Sequence, residues 1–226
     1  MIEIKDLYFE YPNGKHVFSG LDFSLKKGEK VGLIGPNGAG KTTLFHLIMG
    51  LLKPSKGEIW IFDRARREEA DFHEVRRRIG LLFQDSDDQL FCPTVEEDIA
   101  FGPLNLGMNN REVEKRVHET CELLGLNGLE ERVTYRLSGG EKRLVALATI
   151  FAMRPECYLL DEPTTGLDTE TTERIKEFLE KHAETYIIIS HDHDIIEQLC
   201  NKVYRLNGGR LDLVSPSLNG SETSNQ

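Results

Sequence analysis

The chain has 226 residues, 39% of them hydrophobic, and a formal net charge of −10. That length buries a substantial core, as one domain or a domain with a subdomain. The acidic balance argues against a broad nucleic-acid footprint, and no apolar run approaches the roughly 20 residues that cross a bilayer.

The opening stretch alternates apolar and polar residues between turn signals. Residues 22–25 and 58–62 read as strands and Pro12-Asn13-Gly14 as a turn, which predicts an antiparallel β portion. Residues 30–34 form an apolar strand that runs into Gly35-Pro36-Asn37-Gly38-Ala39-Gly40-Lys41-Thr42 and then a helical pattern over 41–49. Arg76-Arg77-Arg78 reads as a solvated helix face, and the strand after it, 79–83, ends at Gln84. From about 95 to 136 the chain turns helical, with Val113, Val117, Cys121 and Leu124 at helical spacing. It holds no sustained heptads, which excludes a long coiled coil.

Leu137-Ser138-Gly139-Gly140-Glu141 is a second glycine-rich turn. Ser138 as N-cap and Glu141 three residues on form a capping box for a helix through about Met153. Residues 157–161 read as a strand buried on both faces, ending in Asp161, with Glu162 next. Another apolar run precedes His191, and residues 202–214 form a hairpin across Asn207-Gly208-Gly209. The tail, 215–226, is small and polar and reads as disordered. Cys92, Cys121, Cys157 and Cys200 have neither zinc nor redox spacing and read as reduced thiols, and residues 1–6 carry no signal pattern. The alternation predicts an α/β fold: a P-loop NTPase core with a mainly parallel sheet, an antiparallel β subdomain and a helical subdomain, within one domain of residues 1–214.

The first glycine-rich loop matches every fixed position of a P-loop in the strand–loop–helix context the motif requires. Its glycines let successive N–H groups converge on phosphate, and the helix N-terminus adds positive potential there. Residues Gly35 to Thr42, with Thr43, are the expected nucleotide contacts: Lys41 for the β- and γ-phosphates, the Thr42 hydroxyl for Mg²⁺. Asp161 is the second Mg²⁺ anchor, and Glu162 stands where it polarises an attacking water. His191 and His193 lack the companions of a separate metal site. One nucleotide needs one cradle, so the second glycine-rich turn predicts that two chains share each nucleotide.

That second turn, followed by Lys142-Arg143-Leu144-Val145-Ala146-Leu147-Ala148, resembles the signature motif of ABC-type ATPases, and the resemblance covers nearly the whole chain. In the family's order, Gln84 matches the Q-loop glutamine, with Gln89 a nearby competitor; Gly166-Leu167-Asp168 matches the D-loop, His191 the switch histidine, and Tyr11 the aromatic under adenine. The resemblance implies ATP and Mg²⁺ as ligands, with Mg²⁺ held by Thr42, Gln84 and Asp161 and hydrolysis carried by Glu162, His191 and Gln84. It implies that Leu137, Ser138, Gly139, Gly140 and Glu141 close on the nucleotide of a second ATPase subunit, identical or a paralogue. Leu144 stands where many members carry a basic residue, which predicts an altered exposed surface on that helix.

Residues 84–107 narrow the resemblance. Asp88-Gln89-Leu90-Phe91 and Phe101-Gly102-Pro103-Leu104-Asn105-Leu106-Gly107 resemble ATPase subunits of energy-coupling-factor importers, the cobalt and nickel members most. Vitamin importers such as those for biotin are the alternative, and a non-transport ABC ATPase the more distant one. The implied partners are an integral membrane scaffold and a substrate-binding membrane protein, with no nucleic acid, and the implied location is peripheral, on the cytoplasmic face of the cell membrane. Leu90, Phe91 and Phe101 are expected to wall a groove, with Asp85, Asp87 and Asp88 as negative charge for arginines on a membrane partner's helix.

Overall fold

The computed structural model describes residues 1–214, so the expectation for 215–226 lies outside the described residues. From the N-terminus the elements are β1 (Ile2–Glu10), β2 (His16–Leu25), β3 (Lys30–Ile34), α1 (Lys41–Ile48), β4 (Lys56–Ile61), β5 (Arg64–Ala65), α2 (Glu69–Arg78), β6 (Ile79–Leu82) and a 3-10 turn (Ser86–Asp88). There follow α3 (Val95–Asn105), α4 (Asn110–Leu124), a second 3-10 turn (Thr134–Arg136), α5 (Gly139–Phe151), β7 (Cys157–Asp161), α6 (Thr169–His182), β8 (Tyr186–Ile189), α7 (His193–Leu199), β9 (Lys202–Asn207) and β10 (Arg210–Val214).

Two sheets organise these elements. The central one has the order β10-β9-β3-β8-β7-β6 and is parallel from β9 to β6, with β10 added as an antiparallel hairpin strand. The other is antiparallel, β2-β1-β4-β5. Successive side chains of β7 and β8 point to opposite faces of the central sheet. Cys157, Leu159, Ile187 and Ile189 enter a core shared with the antiparallel sheet and α1. Tyr158, Leu160, Tyr186 and Ile188 enter the core under the helical insert. Burial on both faces is why these strands read as continuous apolar runs rather than alternating ones.

The insert packs Val95 and Ile99 of α3, and Val113, Val117, Cys121 and Leu124 of α4, into the same core as α5. Helices α3, α4 and α5 each open with a reciprocal capping box, Thr94 with Glu97, Asn109 with Glu112 and Ser138 with Glu141. Each box satisfies end N–H groups that a helix cannot satisfy itself.

Three sequence expectations are corrected. Strand β4 stops at Ile61, because Phe62 turns to φ +54°. The Arg78 guanidinium covers the Phe62 ring at 3.5 Å. The arginine triplet is not a solvated face: Arg76 donates to Glu69 and to the carbonyls of Met49 and Gly50, Arg78 to Glu74 and Glu156, and only Arg77 is exposed. Leu144 is not on an exposed surface; it is 4% exposed and shares the core-facing side of α5 with Leu147 and Ala148. Leu144→Ala is therefore expected to cost about 2–5 kcal/mol, read as a lower denaturant midpoint; an unchanged midpoint contradicts the buried placement.

Candidate active site

The C-terminal ends of β3, β7 and β8 meet the N-terminus of α1 at a cleft of about 480 Å³. Two glycines make this approach possible. A Cβ on Gly35, at φ +147°, would sit 2.4 Å from the Leu206 carbonyl oxygen. Gly40, the N-cap of α1 at φ +108°, would drive a Cβ to 2.4 Å from Val17 Cγ1. No side chain caps α1. Its first-turn N–H groups are thus free to hold an anion.

Charge is concentrated at the cleft's base. Lys41 is 8% exposed, and its Nζ donates to the carbonyls of Gly35 at 2.8 Å and Pro36 at 3.2 Å. Burial pushes its pKa down, against the pull of Glu162 and Asp161. The Thr42 hydroxyl donates to Asp161 Oδ2 at 2.6 Å. Burial pushes the Asp161 carboxyl up, and the bond from Thr42 opposes that rise. Glu162 holds φ +49°, a left-handed conformation that is costly for a side chain with a Cβ. Its Oε2 accepts from Thr165 Oγ1 at 2.7 Å. Its Oε1 is buried with no hydrogen-bond partner. His191 Nε2 lies 3.5 Å from that oxygen, an ion-pair distance without the alignment of a hydrogen bond.

The oxygen chemistry fits a hard cation. Thr42 and Asp161 present a hydroxyl and a carboxylate to one point, and Gln84 lines the same cleft. Among the described residues no group of three His, Cys, Asp or Glu would hold a metal alone. Mg²⁺ characteristically takes one or two protein ligands and completes its shell with phosphate and water.

Most of the expected nucleotide contacts meet here: Tyr11, Asn37, Gly38, Gly40, Lys41, Thr42 and Thr43 all line the cleft. Tyr11 shares a hydrogen bond with Thr43 Oγ1 at 2.9 Å and packs edge-on against Phe9. Gly35 and Pro36 line a neighbouring cleft with His191 and give their carbonyls to Lys41. Ala39 lines neither; its N–H closes the loop onto the Pro36 carbonyl at 3.2 Å. Gln84, not Gln89, faces the cleft. Gln89 accepts from Phe83 N–H and donates to Ala146 O and Thr149 Oγ1, so its amide is committed to packing.

The second glycine-rich turn does not line this cleft. Leu137 and Gly139 line an adjoining cleft of about 720 Å³ with residues 85–88, which shares Thr42, Gln84 and Thr165 with the first, and Ser138 and Glu141 cap α5. Gly140 lines neither cleft. Asp168 caps α6 by accepting from the Thr171 N–H and hydroxyl. The three loop aspartates, expected as negative charge for a partner's arginines, differ in their own contacts. Asp85 accepts from the Asp87 N–H, and Asp87 pairs with Lys142 at 2.5 Å, whereas Asp88 has no side-chain partner among the described residues.

Sequence reasoning missed Lys15, Val17, Thr165 and Ile189, which also line the cleft. It passed over Arg143, buried behind the cleft with bonds to five backbone carbonyls. The available signal was a lone arginine on the otherwise apolar side of α5.

A family model described as ABC transporter matches residues 18–165. The chain belongs to that family. It is 48% identical to the energy-coupling factor transporter ATP-binding protein EcfA of Methanocaldococcus jannaschii, over 93% of this chain and 77% of that protein. The EcfA of Methanothermobacter thermautotrophicus is likewise 48% identical, over 93% and 69%. Among solved structures, CbiO1 of Clostridium perfringens, described as part of the ABC transporter complex cbiONQ, superposes with a TM-score of 0.83 at 34% identity, over 95% and 88% of the two chains. A dimeric ATP-binding cassette in a post-hydrolysis state with ADP and Pi superposes with a TM-score of 0.85 at 26% identity, over 96% and 99%. This ABC protein is an ATPase with the family's fold. Lys41→Ala removes the buried ammonium at the cradle and is expected to weaken ATP binding about 10- to 150-fold in a calorimetric titration; unchanged affinity removes Lys41 from the phosphate site.

Proposed function

We propose that this chain is the ATP-hydrolysing subunit of an energy-coupling-factor importer, that it works as a pair, and that its cargo is cobalt or nickel ion. The observation that carries the catalytic part is the free, buried Glu162 Oε1 beside the Thr42–Asp161 bond. ATP binds with Tyr11 at the base and Lys41 exchanging its two carbonyl bonds for phosphate oxygens. Thr42, Asp161 and Gln84 hold Mg²⁺, which neutralises phosphate charge when bound. Glu162 keeps Oε2 on Thr165 and uses Oε1 to take a proton from the water that bonds to the γ-phosphorus as the bond to ADP breaks, and that proton then passes to the released phosphate. His191, half exposed at the cleft, contacts the γ-phosphate. Residues 137–141 close on the nucleotide of a second subunit, since they do not line their own chain's cleft. The dimeric neighbour supports the pairing.

The importer reading rests on the EcfA relatives and on CbiO1. The cargo rests on the resemblance of residues 88–91 and 101–107 to the cobalt and nickel members, with a vitamin such as biotin as the second reading. The membrane partners are a scaffold and a substrate-binding protein, and the subunit sits peripherally on the cytoplasmic face. Phe91 and Phe101 pack edge-on at 4.8 Å yet remain 66% and 47% exposed, and Asp88 lies in the same connecting segment. An aromatic pair and a carboxylate without a side-chain partner in one segment suit a partner helix with an apolar ridge and a cation.

Glu162→Gln is expected to keep ATP affinity, accumulate nucleotide-bound pairs in size-exclusion chromatography, and turn over about 100-fold more slowly or worse. Robust hydrolysis by that variant removes the proposed base. The assembled complex is expected to take up labelled cobalt or nickel ions and to lose that uptake with the same substitution; uptake of biotin and not of these metals by the unsubstituted complex moves the cargo to the vitamin reading. Asp88→Lys is expected to reduce co-purification of the membrane scaffold while leaving ATP binding intact, and full capture by that variant rules out the charge contact.

A further inference from the structure

We propose that Arg143 is a positioning residue for hydrolysis: its buried guanidinium, carried on α5, holds the Gln84 segment and the strained backbone of Glu162 in one fixed arrangement. This inference rests on the reading of Glu162 given above.

The guanidinium is 4% exposed and binds no carboxylate directly. Its Nε donates to Pro163 O at 3.2 Å. One terminal nitrogen donates to Phe83 O at 2.5 Å and Gln84 O at 3.2 Å; the other donates to Asp161 O at 2.5 Å and Glu162 O at 2.8 Å. All five N–H donors of an arginine are thus matched to carbonyls. Those carbonyls come from two segments that carry the reacting groups, and the arginine comes from a third.

A buried cation is seldom kept for packing, because an apolar chain of similar volume fills the space without the desolvation cost. Geometry supplies a reason to keep it. Glu162 sits at φ +49°, and such a conformation persists only when its surroundings over-determine it. Here the peptide is fixed on both sides: the Glu162 N–H donates to Ile189 O at 2.9 Å, and the Glu162 carbonyl accepts from Arg143. That pair of bonds aims the side chain so that Oε1 is buried and unpaired at the cleft. A second tether runs in parallel. Gln89 accepts from the Phe83 N–H and donates to Ala146 O of α5, so the peptide groups flanking Phe83 are tied to α5 through both N–H and C=O. A displacement of α5, the helix opened by residues 138–141, is therefore carried into Gln84 and Glu162 together.

The test compares Arg143→Lys, Arg143→Met and Glu162→Gln in the full chain, measuring thermal midpoint, ATP affinity in EDTA, and kcat and KM with Mg²⁺. The lysine variant retains the charge but not the five-donor fork. It is expected to fold with a lowered midpoint, since at least two of the five carbonyls lose their donor, and to keep the parent's ATP affinity while kcat falls about 10- to 100-fold; the methionine variant falls further if it folds. Full kcat in either folded arginine variant, with Glu162→Gln inactive, overturns the positioning role alone. A folded lysine variant whose ATP affinity falls by as large a factor as its kcat also overturns it, since Arg143 is then only a structural prop. Full turnover by Glu162→Gln brings down the reading of Glu162, and this inference with it.

Discussion

Four charged side chains are buried together where the central sheet meets α1 and α5: Lys41, Arg143, Asp161 and Glu162, each less than a tenth exposed. Any one of them alone would carry a desolvation penalty of several kcal/mol. Together they are two cations and two anions, and each also spends its donors or lone pairs on backbone or hydroxyl partners. Burial raises Asp161 and lowers Lys41 and Arg143, the last to about 10, while the opposite charges pull each of them back. Glu162 Oε1 is the oxygen the balance leaves without a bond.

The sheet makes that concentration of charge possible. In a parallel sheet all C-terminal strand ends lie along one edge, so β3, β7 and β8 deliver the glycine-rich loop, the carboxylates and His191 to the same place. The antiparallel sheet closes the other side. The turn between β1 and β2 brings Tyr11 and Lys15 to the cleft, and Val17 of β2 packs where only a glycine at position 40 fits. The cleft proposed to hold the nucleotide is thus built at a seam between a parallel core and an antiparallel cover.

Helix α5 has two ends of influence. Its N-terminal turn, 137–141, does not line the chain's own cleft, while its first buried turn carries Arg143 to the backbone carbonyls of Asp161 and Glu162. A rigid helix capped by Ser138 and Glu141 therefore links a surface suited to a second subunit with the backbone that aims Glu162. In the proposed pair, contact at one site and the geometry of the other share a single mechanical element.

The P-loop, the capping boxes of α5, the doubly buried β7 and the hairpin of β9 and β10 were legible from sequence. Each depends on residues adjacent in the chain: a glycine's freedom, a hydroxyl three positions from a carboxylate, a run of apolar side chains. The resemblance pointed to Gln84, which lines the cleft, but what takes Gln89 out of competition was not legible, because Gln89 is committed by Ala146 and Thr149, far along the chain. The burial of Leu144, the pairing of Asp87 with Lys142, and the clamping of Arg76 and Arg78 were hidden for the same reason. Sequence determined the local backbone and the inventory of reactive groups, since these follow from short-range sterics and hydrogen bonding. Tertiary structure decided which charges are buried and which remain free, because burial depends on segments that meet only when the sheets and helices pack.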